Sequence, residues 1–304
     1  MQVFSRARGK PSPAARPRRP EGAEIDLIGP PSQNEYIQVP AAGRALSKSN
    51  LDKFPSGFLA VRLLTHRGLV CPKWLEHMFA VLGVCSLQDT PARWVAVHRR
   101  HHEHADLQSD PHSPLVDFGW GHMGWLVVEN RDLMRLGIFA RYAKDILRDP
   151  FYARLERKLL TIWLVLISWS LFFVGGVMAA LLSGGNAIEA LQFGLSLLIW
   201  GVFVRTVLVW HITWSVNSVT HLWGYRNYET DDASRNNVIV GIVSNGEGWH
   251  NNHHADPRSA RHGHLWWEVD VTWVTIRFLA AVGLAREVVV PSPHVRQMQI
   301  PHSA

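Results

Sequence analysis

Cysteine is scarce in this chain, with only Cys71 and Cys85 among 304 residues. Two cysteines provide neither a disulfide framework nor a cysteine-type zinc site, so both are predicted to be reduced thiols. Acidic residues are absent from the first 20 positions, which hold six basic residues, Arg6, Arg8, Lys10, Arg16, Arg18 and Arg19. These account for the net charge of +6, the rest of the chain is near neutral, and a nucleic-acid partner is not expected.

Charge is missing from one long segment of the sequence. Residues 159–182 read LLTIWLVLISWSLFFVGGVMAALL, which is 24 residues without a charged side chain. As a helix this segment would be about 36 Å long, enough to cross the hydrocarbon core of a bilayer. A second apolar segment, residues 188–210, contains Glu189 and Arg205, and the intervening SGGN suits a tight turn. The pattern predicts an all-α membrane protein with a transmembrane hairpin over about residues 159–210.

Basic residues flank this hairpin at its start and are absent from its turn. Arg154, Arg157 and Lys158 precede the first apolar segment. Because basic residues concentrate in short cytoplasmic segments, both ends of the hairpin are predicted to face the cytoplasm. The histidine-rich segments before and after the hairpin would then lie on the same side of the membrane, where they can meet.

Histidine is abundant, with 17 residues in the chain. His98, His101 and His102 have the spacing i, i+3, i+4, and the same spacing recurs in His250, His253 and His254. On a helix these offsets place all three imidazoles on one face. Six neutral nitrogen donors exceed the four ligands of a single zinc ion, so the two motifs predict two metal ions. Imidazole suits iron, copper, nickel and zinc, and the alternative is a pair of solvated, pH-sensitive surface patches.

Several motifs together resemble the membrane fatty acid desaturases, in particular the acyl-CoA delta-9 type. They are HRRHH (98–102), SDPHSP (109–114), GHMGW (121–125), NSVTHLWGYR (217–226) and HNNHH (250–254), and VRLLTHRG (61–68) resembles the family's first histidine box. The similarity extends from about Val61 to Pro291 in consistent order and spacing.

The resemblance implies a helical membrane domain with a cytosolic helical cap that holds a histidine-ligated, non-haem di-iron site. The implied cofactors are therefore two iron ions. One iron would also hold a water positioned by Asn217, and the substrate-binding residues stay unassigned. The metal ligands implied by the matching motifs are His66, His98, His101, His102, His221, His250, His253 and His254.

The family's reaction introduces a cis double bond, here expected at delta-9, into a saturated acyl chain, and it consumes O2 and two electrons. The implied partners are acyl-CoA or another acyl-lipid substrate, O2, membrane lipid, and an electron donor such as a ferredoxin or cytochrome b5. Two alternatives stay open at this point. One is a di-iron membrane hydroxylase, and the other is an inactive remnant that binds metal or lipid.

The sequence departs from the family pattern near residue 61. The family's first box begins with histidine where this chain has Val61, and two further spans precede that box in the family. Residues 1–56 are instead basic and Pro-rich and are expected to be a disordered tail. An N-terminal third that was lost, frame-shifted or misassigned would explain both departures, and the chain as written is then expected to desaturate poorly. The desaturase domain is predicted over residues 57–292, followed by a flexible tail over 293–304.

Overall fold

The computed structural model describes residues 61–128, 136–295 and 299–300. The predicted tail over residues 1–56 lies outside these residues, and so does most of the predicted tail over 293–304. All regular secondary structure in the described residues is helical, and the only β-type pairing there is a set of isolated bridges. The predicted all-α fold class is confirmed.

The described parts of the chain contain α-helices of very different lengths, joined in places by π-helical turns. The π-helical turns lie at Val61–Thr65, Trp120–Gly124 and Ile199–Val204. The α-helices of four or more residues are α1 (Lys73–Val84), α2 (Pro91–His104), α3 (Leu136–Tyr142), α4 (Lys144–Leu147), α5 (Pro150–Leu155), α6 (Lys158–Leu182), α7 (Ala187–Leu198), α8 (Arg205–Ser218), α9 (Val238–Val243), α10 (His250–Ala255) and α11 (Val271–Ala281).

The predicted hairpin is present as two long apolar helices. α6 forms the first, and α7, the π-helical turn and α8 run on as a second helix from Ala187 to Ser218, past the predicted end at Trp210. Both are long and apolar enough to cross a membrane. Their side chains are mostly exposed, with Leu171 68% and Leu182 83% accessible. A helix that is apolar all round but uncovered by protein needs an apolar solvent, as a bilayer provides.

The turn of the hairpin explains why an acidic residue stands in an apolar segment. The Asn186 side chain accepts hydrogen bonds from the backbone N–H groups of Ile188 and Glu189, at 2.9 and 3.0 Å. In return, the Glu189 carboxylate accepts from the Asn186 N–H at 2.8 Å. This capping box satisfies the free N–H groups at the start of α7. Gly184 has a φ of +85°, the left-handed region that glycine enters without steric cost.

The two helices of the hairpin approach closely at two glycines. A Cβ on Gly176 would lie 2.8 Å from the Gly194 Cα, and a Cβ on Gly194 would lie 2.8 Å from the Phe173 carbonyl oxygen. Neither distance is compatible with a side chain at these positions. Small residues at a crossing let two helix backbones pack directly, which is how membrane helices gain contact in the absence of a hydrophobic drive.

The segment before His66 is anchored between two apolar cores. One core contains Leu64 together with residues of α1, α2 and α5, and the other contains Leu63 with residues of α1 and α11. Successive residues of the first π-helical turn therefore enter different cores. This double anchoring fixes the backbone that carries His66.

A buried ion cluster around Arg62 ties the same segment to the C-terminal part of the chain. The Arg62 guanidinium donates to the Glu247 carboxylate at 2.6 and 3.0 Å and to the Asp270 carboxylate at 2.8 Å, and a further bond reaches the Ala260 carbonyl. Arg62 is 0% exposed. Because these charges lie out of water, each depends on the others for compensation.

The close contact at Gly194 predicts that alanine substitutions at two glycines of the hairpin change thermal stability in opposite directions. Gly194→Ala should lower the thermal stability of detergent-purified protein, because the new methyl group forces α6 and α7 apart. Gly175→Ala is the matched control, since a Cβ there meets no atom within 4 Å and alanine has the higher helix propensity, worth up to about 1 kcal/mol. Unfolding followed by circular dichroism measures both. A Gly194→Ala protein as stable as the control would contradict direct packing at this crossing.

The ion cluster predicts a large loss of stability on removal of its cation. Arg62→Met leaves the carboxylates of Glu247 and Asp270 buried without a partner, and we expect a loss of about 3–5 kcal/mol in the free energy of unfolding. The control is Arg67→Met, which removes an ion pair of a 44%-exposed arginine with Asp145 and should cost less than about 1 kcal/mol. Denaturant unfolding in detergent measures both losses of stability. Equal losses would contradict the conclusion that Arg62 compensates the two buried carboxylates.

Candidate metal centre

The structure gathers all eight histidines predicted as metal ligands into two groups of four. We call His66, His98, His102 and His253 the first cluster, and His101, His221, His250 and His254 the second cluster. Within each cluster one ring nitrogen of every histidine lies within 4.8 Å of the others. The segments before and after the hairpin therefore meet, as the topology predicted from sequence requires.

Helix geometry explains how each HxxHH motif serves both clusters. Residues i and i+4 of an α-helix differ by about 40° around the axis, whereas i+3 lies about 60° to the other side. His98 and His102 of α2 accordingly join the first cluster, and His101 turns to the second. In α10 the assignment is reversed: the i, i+4 pair, His250 and His254, joins the second cluster, and His253 joins the first.

The remaining ligand of each cluster comes from outside these two helices. His66 follows the first π-helical turn and joins the first cluster. His221 lies three residues beyond the end of α8, in a turn, and joins the second cluster. Each cluster is thus an i, i+4 pair from one helix, one histidine from the other helix, and one from a turn.

The spacing of ring nitrogens in the first cluster fits a metal better than a hydrogen-bond chain. The Nε2 atom of His98 lies 3.1 Å from that of His66, and the Nε2 atom of His102 lies 3.1 Å from that of His98 and 3.0 Å from that of His253. One ring nitrogen offers either a single N–H or a single lone pair, so His102 cannot hydrogen-bond to both neighbours. Nitrogens that share a metal at about 2.0–2.1 Å lie at roughly this separation.

Carboxylates hold three rings of the second cluster. His101 Nδ1 lies 3.0 Å from Asp110, His221 Nδ1 lies 2.8 Å from Asp106, and His254 Nδ1 lies 2.5 Å from Asp232. An ionised carboxylate only accepts, so each Nδ1 carries the proton and each Nε2 presents a lone pair. This is the arrangement that orients histidine toward a metal.

The second cluster also passes a test of fit that rests on unsatisfied atoms. The Nε2 atoms of all four of its rings are buried and have no hydrogen-bond partner, and the same holds for Nδ1 of His250. Buried polar atoms are almost always satisfied, because leaving one without a partner costs about 1–3 kcal/mol. Four such nitrogens converging on one point are accounted for by a metal ion.

Burial keeps the rings in the neutral form that binds metal. Five histidines have pKa values well below the usual range, mainly because they are buried and secondly because of the neighbouring rings. They are His66, His98, His102, His250 and His253. Burial lowers the pKa of His254 to about 4, although its hydrogen bond to Asp232 opposes the shift. Burial raises the pKa of Asp110, but the interactions with His101 and His112 and the hydrogen bond from the Asp106 N–H together outweigh it, so the pKa lies below its usual range and the carboxylate is ionised.

A small cavity reaches both clusters. It is lined by His98 and His253 of the first cluster, His250 of the second, and also by Trp94, Thr213, Val216, Asn217 and Glu247. Asn217, predicted to act on a metal through water, is largely buried and is placed there because α8 continues to Ser218. The Glu247 carboxylate is neutralised by Arg62, so the cavity wall carries no unpaired acid.

Sequence reasoning missed the carboxylates. Asp106 and Asp110 follow the first HxxHH motif by only a few positions, and their nearness to it was the available signal. Asp232 has no such signal, since it lies 22 positions before its partner His254 in an irregular segment. His262, which had no spacing argument, is fully buried and its ring centroid lies 4.4 Å from that of His253.

Comparison with known proteins identifies the family. The fatty acid desaturase family model matches residues 56–280. The chain is 41% identical to the sn-2 palmitoyl-lipid 9-desaturase of Nostoc sp. (strain 36) over 233 residues, which are 76% of this chain and 75% of that protein. It is 42% identical to the sn-1 stearoyl-lipid 9-desaturase of Synechocystis sp. over 230 residues, which are 76% of this chain and 65% of that protein, slightly less than two thirds.

An acyl-CoA C20 Delta5-desaturase of Anemone leveillei is 40% identical over 238 residues, which are 78% of this chain and 70% of that protein. The region matched by the family model, residues 56–280, contains the whole hairpin and all eight clustered histidines. The similar proteins thus include ones named for lipid-linked and ones named for CoA-linked acyl substrates. The chain belongs to the fatty acid desaturase family.

Proposed function

We propose that this protein is a membrane desaturase that introduces a cis double bond at delta-9 of a saturated acyl chain, with O2 and two electrons as co-substrates. The observation that carries the proposal is the pair of four-histidine clusters that share one cavity beside a transmembrane-length hairpin. The 9-desaturase names of several relatives support the position of the double bond.

The proposed cofactors are two iron ions, one in each cluster. When bound, iron supplies the O2-dependent oxidising power that removes hydrogen from an unactivated methylene, chemistry that side chains alone lack. The eight histidines hold the ions, and Asn217 fixes a water beside them at the cavity wall. Trp94 and Val216 give that wall an apolar surface against which an acyl chain can lie.

The proposed substrate is an acyl-lipid taken from the membrane. The relatives named as lipid desaturases support this class, and the exposed apolar surface of α6 and α7 supports a location in the bilayer. A ferredoxin or a cytochrome b5 is the proposed electron donor. The proposed orientation places both ends of the hairpin, and with them the two clusters, on the cytoplasmic side.

Activity is tested with purified protein supplied with ferrous iron, a reduced ferredoxin system, O2 and a saturated acyl-lipid. We expect a product with a double bond at delta-9, identified by mass spectrometry of derivatised acyl chains. His253→Ala and His250→Ala each remove one ligand from a different cluster and should each reduce turnover at least about 100-fold. An alcohol as the main product would instead indicate a hydroxylase.

Val61→His is the companion variant in this assay, because the family's first histidine box has histidine at that place. We expect the variant to retain more iron through gel filtration and to turn over faster than the unchanged chain. Equal iron content and equal turnover would contradict a ligand role for that position. Iron bound at two per chain with no oxidised product from either protein would contradict the proposed reaction.

Orientation is tested by cysteine labelling in a background with Cys71 and Cys85 replaced by alanine. Ser183→Cys reports the turn of the hairpin, and Glu229→Cys reports the loop between α8 and α9, both at exposed positions. An impermeant maleimide added to intact cells should label only the first, because basic residues keep the hairpin ends in the cytoplasm. Labelling of Glu229→Cys from outside would overturn the orientation.

A further inference from the structure

The two clusters differ in the groups behind their histidines. Three of the four rings in the second cluster donate from Nδ1 to an aspartate, namely Asp106, Asp110 and Asp232. In the described parts of the chain, none of the four rings of the first cluster has a carboxylate within 4.0 Å. The carboxylate of Glu247, which lines the cavity together with His253, pairs with Arg62 and also lies 3.4 Å from Nδ1 of His262, a residue outside both clusters.

Backbone N–H groups and two side-chain hydroxyls hold these aspartates in place independently of any metal. Asp106 accepts from the Ala233 N–H at 2.8 Å and from the Ser113 hydroxyl at 2.8 Å. Asp110 accepts from the N–H groups of Asp106 and His112, at 2.9 and 3.1 Å. Asp232 accepts from the Ser234 N–H at 2.9 Å and from the Thr230 hydroxyl at 2.9 Å. The carboxylates are fixed before a metal arrives, so the rings they hold are also fixed.

A fixed carboxylate strengthens a histidine ligand in three ways. It selects the tautomer with the lone pair on Nε2, it holds the ring orientation, and it raises the basicity of the imidazole. Loss of one such partner costs roughly 10- to 100-fold in metal affinity. Its negative charge also compensates the dication in a site where water is excluded.

We propose that Asp106, Asp110 and Asp232 are positioning residues that make the second cluster the tighter metal site, so that the two metals bind in order, second cluster first. The inference rests on the metal centre proposed above. It assigns unequal roles to two clusters that the ligand count alone makes equivalent. The first cluster is then the site that exchanges its metal and determines whether the centre is complete.

The test is an anaerobic titration of metal-free, detergent-purified full-length protein with Co2+, followed by its visible absorption and calibrated with a competing chelator. We expect two binding steps of different affinity. His250→Ala should remove the tight step, and His102→Ala should remove the weak step, because each takes one ligand from one cluster. If His102→Ala removes the tight step, the proposal is overturned without reference to the aspartates.

The aspartates are tested one at a time. Asp110→Asn and Asp232→Asn should each weaken the tight step by about 10- to 100-fold and change the weak step by less than about 3-fold. Asp89→Asn is the control, since Asp89 pairs with Arg93 at 3.0 Å and belongs to none of the groups of potential metal ligands in the described residues. It should change neither step. Gel filtration verifies that each variant keeps the hydrodynamic size of the unchanged protein.

The possible failures are distinguishable. A chain that binds no Co2+ contradicts the proposed metal centre itself. A chain that binds two ions with equal affinity contradicts only the ordering, and so does an aspartate variant of native size in which both steps weaken equally. An effect of Asp89→Asn as large as that of Asp232→Asn would show that the substitutions act through the fold rather than through the ligands.

Discussion

A buried imidazole nitrogen without a partner is costly, and this constraint governs much of the arrangement of the chain around the two clusters, with Nδ1 of His250 and of His253 as exceptions. Most of the clustered rings lie out of contact with water, and burial keeps them neutral. A neutral ring has one N–H to donate and one lone pair to present. In the second cluster, aspartates take the N–H groups of three rings, and the lone pairs of all four are left converging. The fold thereby creates a site that is incomplete without a cation.

Meeting this constraint requires distant segments to be held together, and the polar network does so. Asp106 connects the end of α2 to His221 and to the backbone at Ala233. The Arg62 guanidinium connects the segment that carries His66 to Glu247, three residues before α10, and to Asp270, the residue that caps α11. Each connection lies close to a clustered histidine. The stability of the segments around the two clusters and the geometry of the clusters therefore depend on the same contacts.

The parts of this structure that depend on a pattern within one short segment of sequence could be predicted. The uncharged run gave the first long helix, and the HxxHH spacing gave the shared helix face of each triad, because both are repeats within one element. The end of the second helix was underestimated, since Ser215, Asn217 and Ser218 lack apolar character although the helix continues through them. Hydrophobicity therefore indicates the segment that can cross the membrane but not the residue at which the helix ends.

Pairings between distant residues could not be predicted in this way. Arg62 is separated by 185 residues from Glu247 and by 208 from Asp270. No local pattern announces such a pair, because its physical reason, compensation of charge in a dry interior, exists only after the chain has folded. The division of each HxxHH motif between two clusters is of the same kind. The motif fixes the face of the helix, and the position of the opposite helix decides which ring joins which cluster.

The placement of the three aspartates away from the cavity wall is compatible with an apolar substrate. The cavity that reaches both clusters touches imidazoles, an indole, an amide and aliphatic groups, and Asp106, Asp110 and Asp232 are not among its lining residues. Its one carboxylate, on Glu247, is paired with Arg62. An uncompensated charge on this wall would bind water and would repel an acyl chain. Carboxylates placed behind the rings can strengthen metal ligands without entering the cavity, so the wall of the cavity stays free of unpaired charge.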